Sequence, residues 1–139
     1  MQNRNIVRCA IIAPALVVMG CASPGIEFQE QRPILRLQSV TAISTTIGSS
    51  EDQIYLQFSD GTRYPDEDYI IMSGETWLPE GVVRDTTIAG SVSLFESDSL
   101  SSDDLIGTYE YNRTQAGTYT QTMTGDGSQY ELIWVVNLE

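Results

Sequence analysis

The sequence predicts an all-β fold, an antiparallel β-sandwich of about eight short strands, with a barrel as the alternative. Three observations carry this. Beyond residue 33 the apolar residues alternate with polar ones or form short runs rich in Val, Ile, Thr, Tyr and Phe. Turn residues punctuate these runs at fairly regular spacing. No apolar stripe of helical period and useful length follows residue 21.

The elements follow in order. Residues 34–43 read as a strand with an irregularity near Ser39. Residues 53–58 alternate, which puts Ile54, Leu56 and Phe58 on one face, and Ser59-Asp60-Gly61-Thr62 is a turn signal. Residues 69–72 are a short apolar run, followed by a segment broken by Gly and Pro around Trp77 and Pro79. Residues 86–90 and 91–95 read as strand material. Residues 106–111 and 118–123, rich in Thr and Tyr, follow. Thr124-Gly125-Asp126-Gly127-Ser128 is the clearest hairpin turn. Residues 130–138 form a long closing strand with apolar side chains on both faces.

The N-terminal segment has a different character. Arg4 and Arg8 precede an apolar run, Ile11-Ile12-Ala13-Pro14-Ala15-Leu16-Val17-Val18-Met19, which ends in Gly20-Cys21. A positive start, a short apolar core and a small residue before the cut describe an export signal. The run falls short of the roughly 20 apolar residues that span a bilayer. Val18-Met19-Gly20-Cys21 resembles the lipobox of bacterial lipoproteins. The resemblance implies cleavage before Cys21, a thioether-linked diacylglycerol on its sulfur and acylation of the new N-terminus. Two or more acyl chains give stable anchoring. In that family an Asp after the Cys tends to retain the protein at the inner membrane. Ala22 stands there instead, which favours the outer membrane. The expected organisation is therefore a signal peptide over 1–20, a lipidated tether over 21–33 and one domain over 34–139.

Composition narrows the function. The processed chain keeps five arginines, Arg32, Arg36, Arg63, Arg84 and Arg113, against all 19 acidic residues, and has no Lys or His. Such a field excludes nucleic acid and anionic lipid as electrostatic partners, since both need a basic footprint. It favours cations, basic partners or simple solubility. Without His no Ser–His or Cys–His nucleophile can be assembled, and zinc loses its usual ligands. On the lipobox resemblance Cys9 would leave with the signal and Cys21 would carry lipid, so no disulfide framework is expected. The expectation is a non-catalytic protein. Oxygen-only metal sites stay open.

Leu94-Phe95-Glu96-Ser97-Asp98-Ser99-Leu100-Ser101-Ser102-Asp103-Asp104-Leu105-Ile106-Gly107 is the most specific internal signal. It resembles the third calcium loop of C2 domains: a strand ending in acid-x-acid, five intervening residues, then an acid before two apolar residues and Gly. The resemblance implies a C2-like sandwich and calcium ligands at Glu96, Asp98 and Asp104. The family draws further ligands from a first loop. Here Asp52 matches its second acid, while Thr46 stands where the first acid would be. Asp103 is expected to be solvated. Calcium needs about six to eight oxygens, and carboxylates packed that closely raise one another's pKa unless a cation intervenes.

The competing reading of this loop is a solvated Ser/Asp connection between strands. Trp77 and Trp134 could form a ligand face but suit a core better. Tyr109, Tyr111 and Tyr119 could line a sugar-binding surface or simply an exposed sheet face. Two functions remain. One is a membrane-anchored C2-like binding module with calcium. The other is a metal-independent structural or assembly lipoprotein that contacts other envelope proteins.

Overall fold

A computed structural model describes residues 30–99, 101–112 and 115–139. Within them the chain forms nine strands: β1 (Pro33–Ser44), β2 (Glu51–Phe58), β3 (Arg63–Met72), β4 (Thr76–Trp77), β5 (Val83–Asp85), β6 (Gly90–Glu96), β7 (Asp104–Tyr111), β8 (Gly117–Gly125) and β9 (Ser128–Leu138). One sheet has the order β4-β1-β9-β8, with β5 also on β1, and the other has β3-β2-β6-β7. All pairings are antiparallel. The all-β antiparallel sandwich predicted from the sequence is the architecture observed.

Alternation builds the core. In β9 Tyr130, Leu132, Trp134 and Val136 are buried, and they meet Leu35, Leu37, Val40 and Ala42 of β1 in the same sheet. Ile54, Leu56 and Phe58 of β2, with Val92 and Leu94 of β6, close the core from the second sheet. Two faces about 10 Å apart expel water in this way. Trp134 stacks on Tyr109 across the interior, with ring centroids 5.5 Å apart. The irregularity expected near Ser39 is a register shift between Leu37 and Ser39 against β9. It keeps both halves of β1 facing inward.

Three stretches depart from the sequence reading, the first being β3, which begins at Arg63 rather than at residue 69. Residues 86–90 are a connection rather than a strand, apart from Gly90 at the start of β6. Asp85 captures the Thr87 N–H at 2.8 Å and the Thr87 hydroxyl at 2.6 Å, and this local turn competes with a ladder. Conversely, the broken segment around Trp77 and Pro79 supplies two short strands on the edge of β1, and these raise the count to nine. Tyr109 and Tyr111 lie on the inner face and are buried, so they form no exposed sheet face.

The strand directions define two ends. The connections 45–50 and 97–103 and the β8–β9 turn lie at one end, called the tip below. The start of β1, the end of β9, the 59–62 turn and the 86–89 connection lie at the other. At that end the Arg32 and Glu139 backbones pair at 2.7 and 2.9 Å, and the Arg84 guanidinium lies 3.7 Å from the centre of the Phe58 ring.

Candidate functional site

The tip collects the residues singled out in the sequence. Asp52, in β2, is fully buried. Burying a carboxylate is costly unless donors surround it. Here the Thr46 N–H donates to both of its oxygens, at 3.0 and 3.2 Å, and the Tyr130 hydroxyl donates at 2.5 Å. Asp52 thereby ties the 45–50 connection and β9 to β2. Burial, followed by the hydrogen bond to Asp52 and then the Asp52 charge, pushes the Tyr130 phenol far above its ordinary range.

Glu96 ends β6, opposite Ile54 of β2 and Asp104 of β7. It is buried and accepts a 2.5 Å hydrogen bond from the Thr46 hydroxyl. Burial raises its carboxyl above the usual range. The charges of Asp52, Asp98 and Asp126 add to this, and the Thr46 bond opposes it. Asp104, half-buried at the start of β7, is raised as well, first by burial and then by Asp126 and Asp98.

The 97–103 connection is held by its own side chains. Ser101 donates to Asp98 at 2.7 Å, and the Asp98 N–H donates to Asp103 at 3.3 Å. Asp103 is solvent-facing, as expected, but it also accepts a 2.7 Å bond from the Tyr55 hydroxyl. That bond holds its carboxyl below the ordinary carboxylate range, while burial and Asp103 together push the Tyr55 phenol up to about 12. Tyr55 is sandwiched between Phe95, 5.3 Å away, and the Arg63 guanidinium.

Two members of the tip were not singled out from the sequence. Asp126 sits in the two-residue β8–β9 turn, where it and Gly127 both have positive φ (46° and 74°). The Asp-Gly pair signals that turn geometry, but nothing in it signals that the aspartate will face Glu96 and Asp104. Tyr130, read only as part of a strand, is the second.

Asp52, Glu96, Asp98 and Asp104 are thus brought to one end, but not as a coordination shell. Among the described residues no three carboxylates stand where one ion could bind them together. Thr46, at the position of the absent acid, provides two donors. Its N–H and hydroxyl face the carboxylates where the resemblance places a cation. The residues present do not fit a preformed calcium centre. Cys21 lies outside the described residues. Trp77 and Trp134 are buried in the core, Trp77 against Tyr69 and Tyr64.

No protein-family model matches this chain, and no curated protein does. Among solved structures it is similar to a C2 domain, with 10% identity and a TM-score of 0.42, over 77% of this chain and 98% of that one. A C2 domain of plant extended synaptotagmin 1 matches at 7% identity and a TM-score of 0.42, over 79% and 96% of the two chains. Human GIVD cytosolic phospholipase A2, solved with an inhibitor and terbium chloride, matches at 14% identity and a TM-score of 0.43, over 78% of this chain and 18% of that one. The similarity is one of strand arrangement.

Proposed function

We propose that this chain is a lipid-anchored, non-catalytic module of a bacterial cell envelope, with the outer membrane favoured, and that it works by contacting another envelope protein without a metal. One observation carries the metal-independent part. The Thr46 N–H, Thr46 hydroxyl and Tyr130 hydroxyl satisfy the Asp52 and Glu96 carboxylates by hydrogen bonding, at 2.5 to 3.2 Å. Charge-assisted hydrogen bonds of this kind are about twice as strong as neutral ones, and they order the tip as a bound cation would. The lipobox resemblance at Cys21 supports the anchor. The lack of His, Lys and a free thiol in the processed chain supports a role without catalysis.

Calcium held by Glu96, Asp98 and Asp104, with Asp52, is the second reading. One observation favours it: Glu96 and Asp104 both feel the like charges of Asp98 and Asp126, a strain a divalent cation would relieve. Cross-linking in intact envelopes, in calcium and in chelator, separates the two. A specific partner captured equally under both conditions supports the first reading. Capture only with calcium supports the second, and no specific partner under either condition counts against both.

A further inference from the structure

The topology fixes where a lipid on Cys21 would pull. β1 starts at Pro33, paired with Leu138 at the end of β9, and runs twelve residues to Ser44 at the tip. At about 3.3 Å per residue this is roughly 40 Å. Eleven residues, Ala22 to Arg32, separate Cys21 from that start. Drawn straight they reach about 36–40 Å, but a flexible chain of that length averages only roughly 20 Å end to end. Bringing the tip to the bilayer would require the tether to be fully extended along the whole length of the domain.

Charge works in the same direction. At the chain-entry end three carboxylates face arginines: Glu139 pairs with Arg36 at 2.7 Å, Asp60 lies in the field of Arg84, and Asp85 in that of Arg32. At the tip Asp103 lies in the field of Arg63, but the charges that act on Glu96 and Asp104 are those of other carboxylates, among them Asp98 and Asp126. An anionic leaflet repels the tip and tolerates the entry end.

We infer that the domain stands end-on, with the 59–62 turn and the 86–89 connection toward the anchoring bilayer and the acidic tip directed away from it. This rests on the lipid anchor at Cys21. The tip is then a surface presented to partners at a distance from the membrane, and not a membrane-docking surface.

Two exposed isoleucines mark the ends: Ile88 (76% exposed) at the entry end and Ile47 (86% exposed) at the tip. Cys21 is the only cysteine of the processed chain. I88C and I47C in the processed, acylated protein, whose Cys21 sulfur carries the lipid, therefore each add a single reactive thiol. Each is labelled with bimane and reconstituted in phosphatidylglycerol-containing vesicles carrying a headgroup spin-label quencher. The expected result is loss of most bimane fluorescence at position 88 and little loss at position 47. The reverse pattern, or equal quenching at both, overturns the end-on orientation while leaving the anchor standing. Failure of the protein to float with vesicles, with residue 21 unmodified by mass spectrometry, overturns the anchor and the orientation with it. Hydrogen exchange on the unlabelled protein gives the same test without a variant. Vesicles should slow exchange in 59–62 and 86–89 and leave 45–50 and 97–103 unchanged, and the opposite distribution overturns the orientation.

Discussion

Asp52 makes the sharpest demand at the scale of single residues. A fully buried carboxylate holding three donor contacts is stable only while its partners remain. Removing one side of a buried charged hydrogen bond costs about 1.5–3 kcal/mol, and more when a charge is left bare. Y130F should therefore destabilise the fold by about 2 kcal/mol and D52A by about 3 kcal/mol. In urea denaturation the double variant should lose clearly less than the two losses added together, because both report one interaction. E96Q is predicted to act in the opposite direction. It keeps an acceptor for the Thr46 hydroxyl and removes a charge that burial and three neighbouring aspartates disfavour, so its melting temperature at neutral pH should exceed that of the parent. The sequence announced Asp52 through its place just before a strand. It did not announce what Asp52 does, since Tyr130 lies 78 residues away and a backbone N–H such as that of Thr46 carries no sequence signature. Thr46 read as a gap in a ligand set, yet it is the donor that joins Asp52 to Glu96.

Elements were legible where period and turn chemistry agreed. The β8–β9 hairpin was visible in Gly125-Asp126-Gly127, because two consecutive positive φ values call for this kind of pair. The 86–90 stretch misled because Thr and Ile favour strands, while Asp85 supplied an acceptor for a local turn instead. β4 and β5 were hidden because two- and three-residue strands carry no period. Their existence depends on the neighbouring β1, which no local signal reports. One packing requirement is specific to the corner where β7 meets β8. A Cβ at Gly125 would stand 2.7 Å from the Ile106 carbonyl oxygen, and one at Gly107 would stand 2.8 Å from the Met123 Cβ. Backbone cannot yield there as a flexible side chain can. G125A should cost about 1–3 kcal/mol and shift the chemical-denaturation midpoint, whereas alanine at Gly61, with nothing within 4 Å, meets only the penalty of its positive φ.

For the whole molecule, acidity shapes stability through two windows of pH. Glu96 and Asp104 have folded-state pKa values above their ordinary 4.5 and 3.8. Where the folded state binds protons more readily than the unfolded one, stability falls as pH rises. Acidifying from neutrality toward that range should therefore raise the melting temperature slightly. Asp60, Asp85 and Asp103 are shifted below 3.8, so their contribution is present above that value and is lost as pH falls through the lower folded-state values. The melting temperature should peak in the mildly acidic range and decline on either side, as a pH series of thermal melts would show. The fold class was legible in the sequence because burial on one sheet face imposes the alternation that the strands display. The meeting of the 45–50, 97–103 and 126–127 segments at one end was only half legible. It depends on which strands pair, and the tip hydrogen bonds exist only once they have paired. In the proposed function those bonds, rather than a cation, order the tip. Thermal melting in millimolar calcium and in chelator, with magnesium at equal ionic strength as the control, tests it most directly. The expected result is the same melting temperature in all three. A saturable rise specific to calcium, abolished by D98N and D104N, would contradict it.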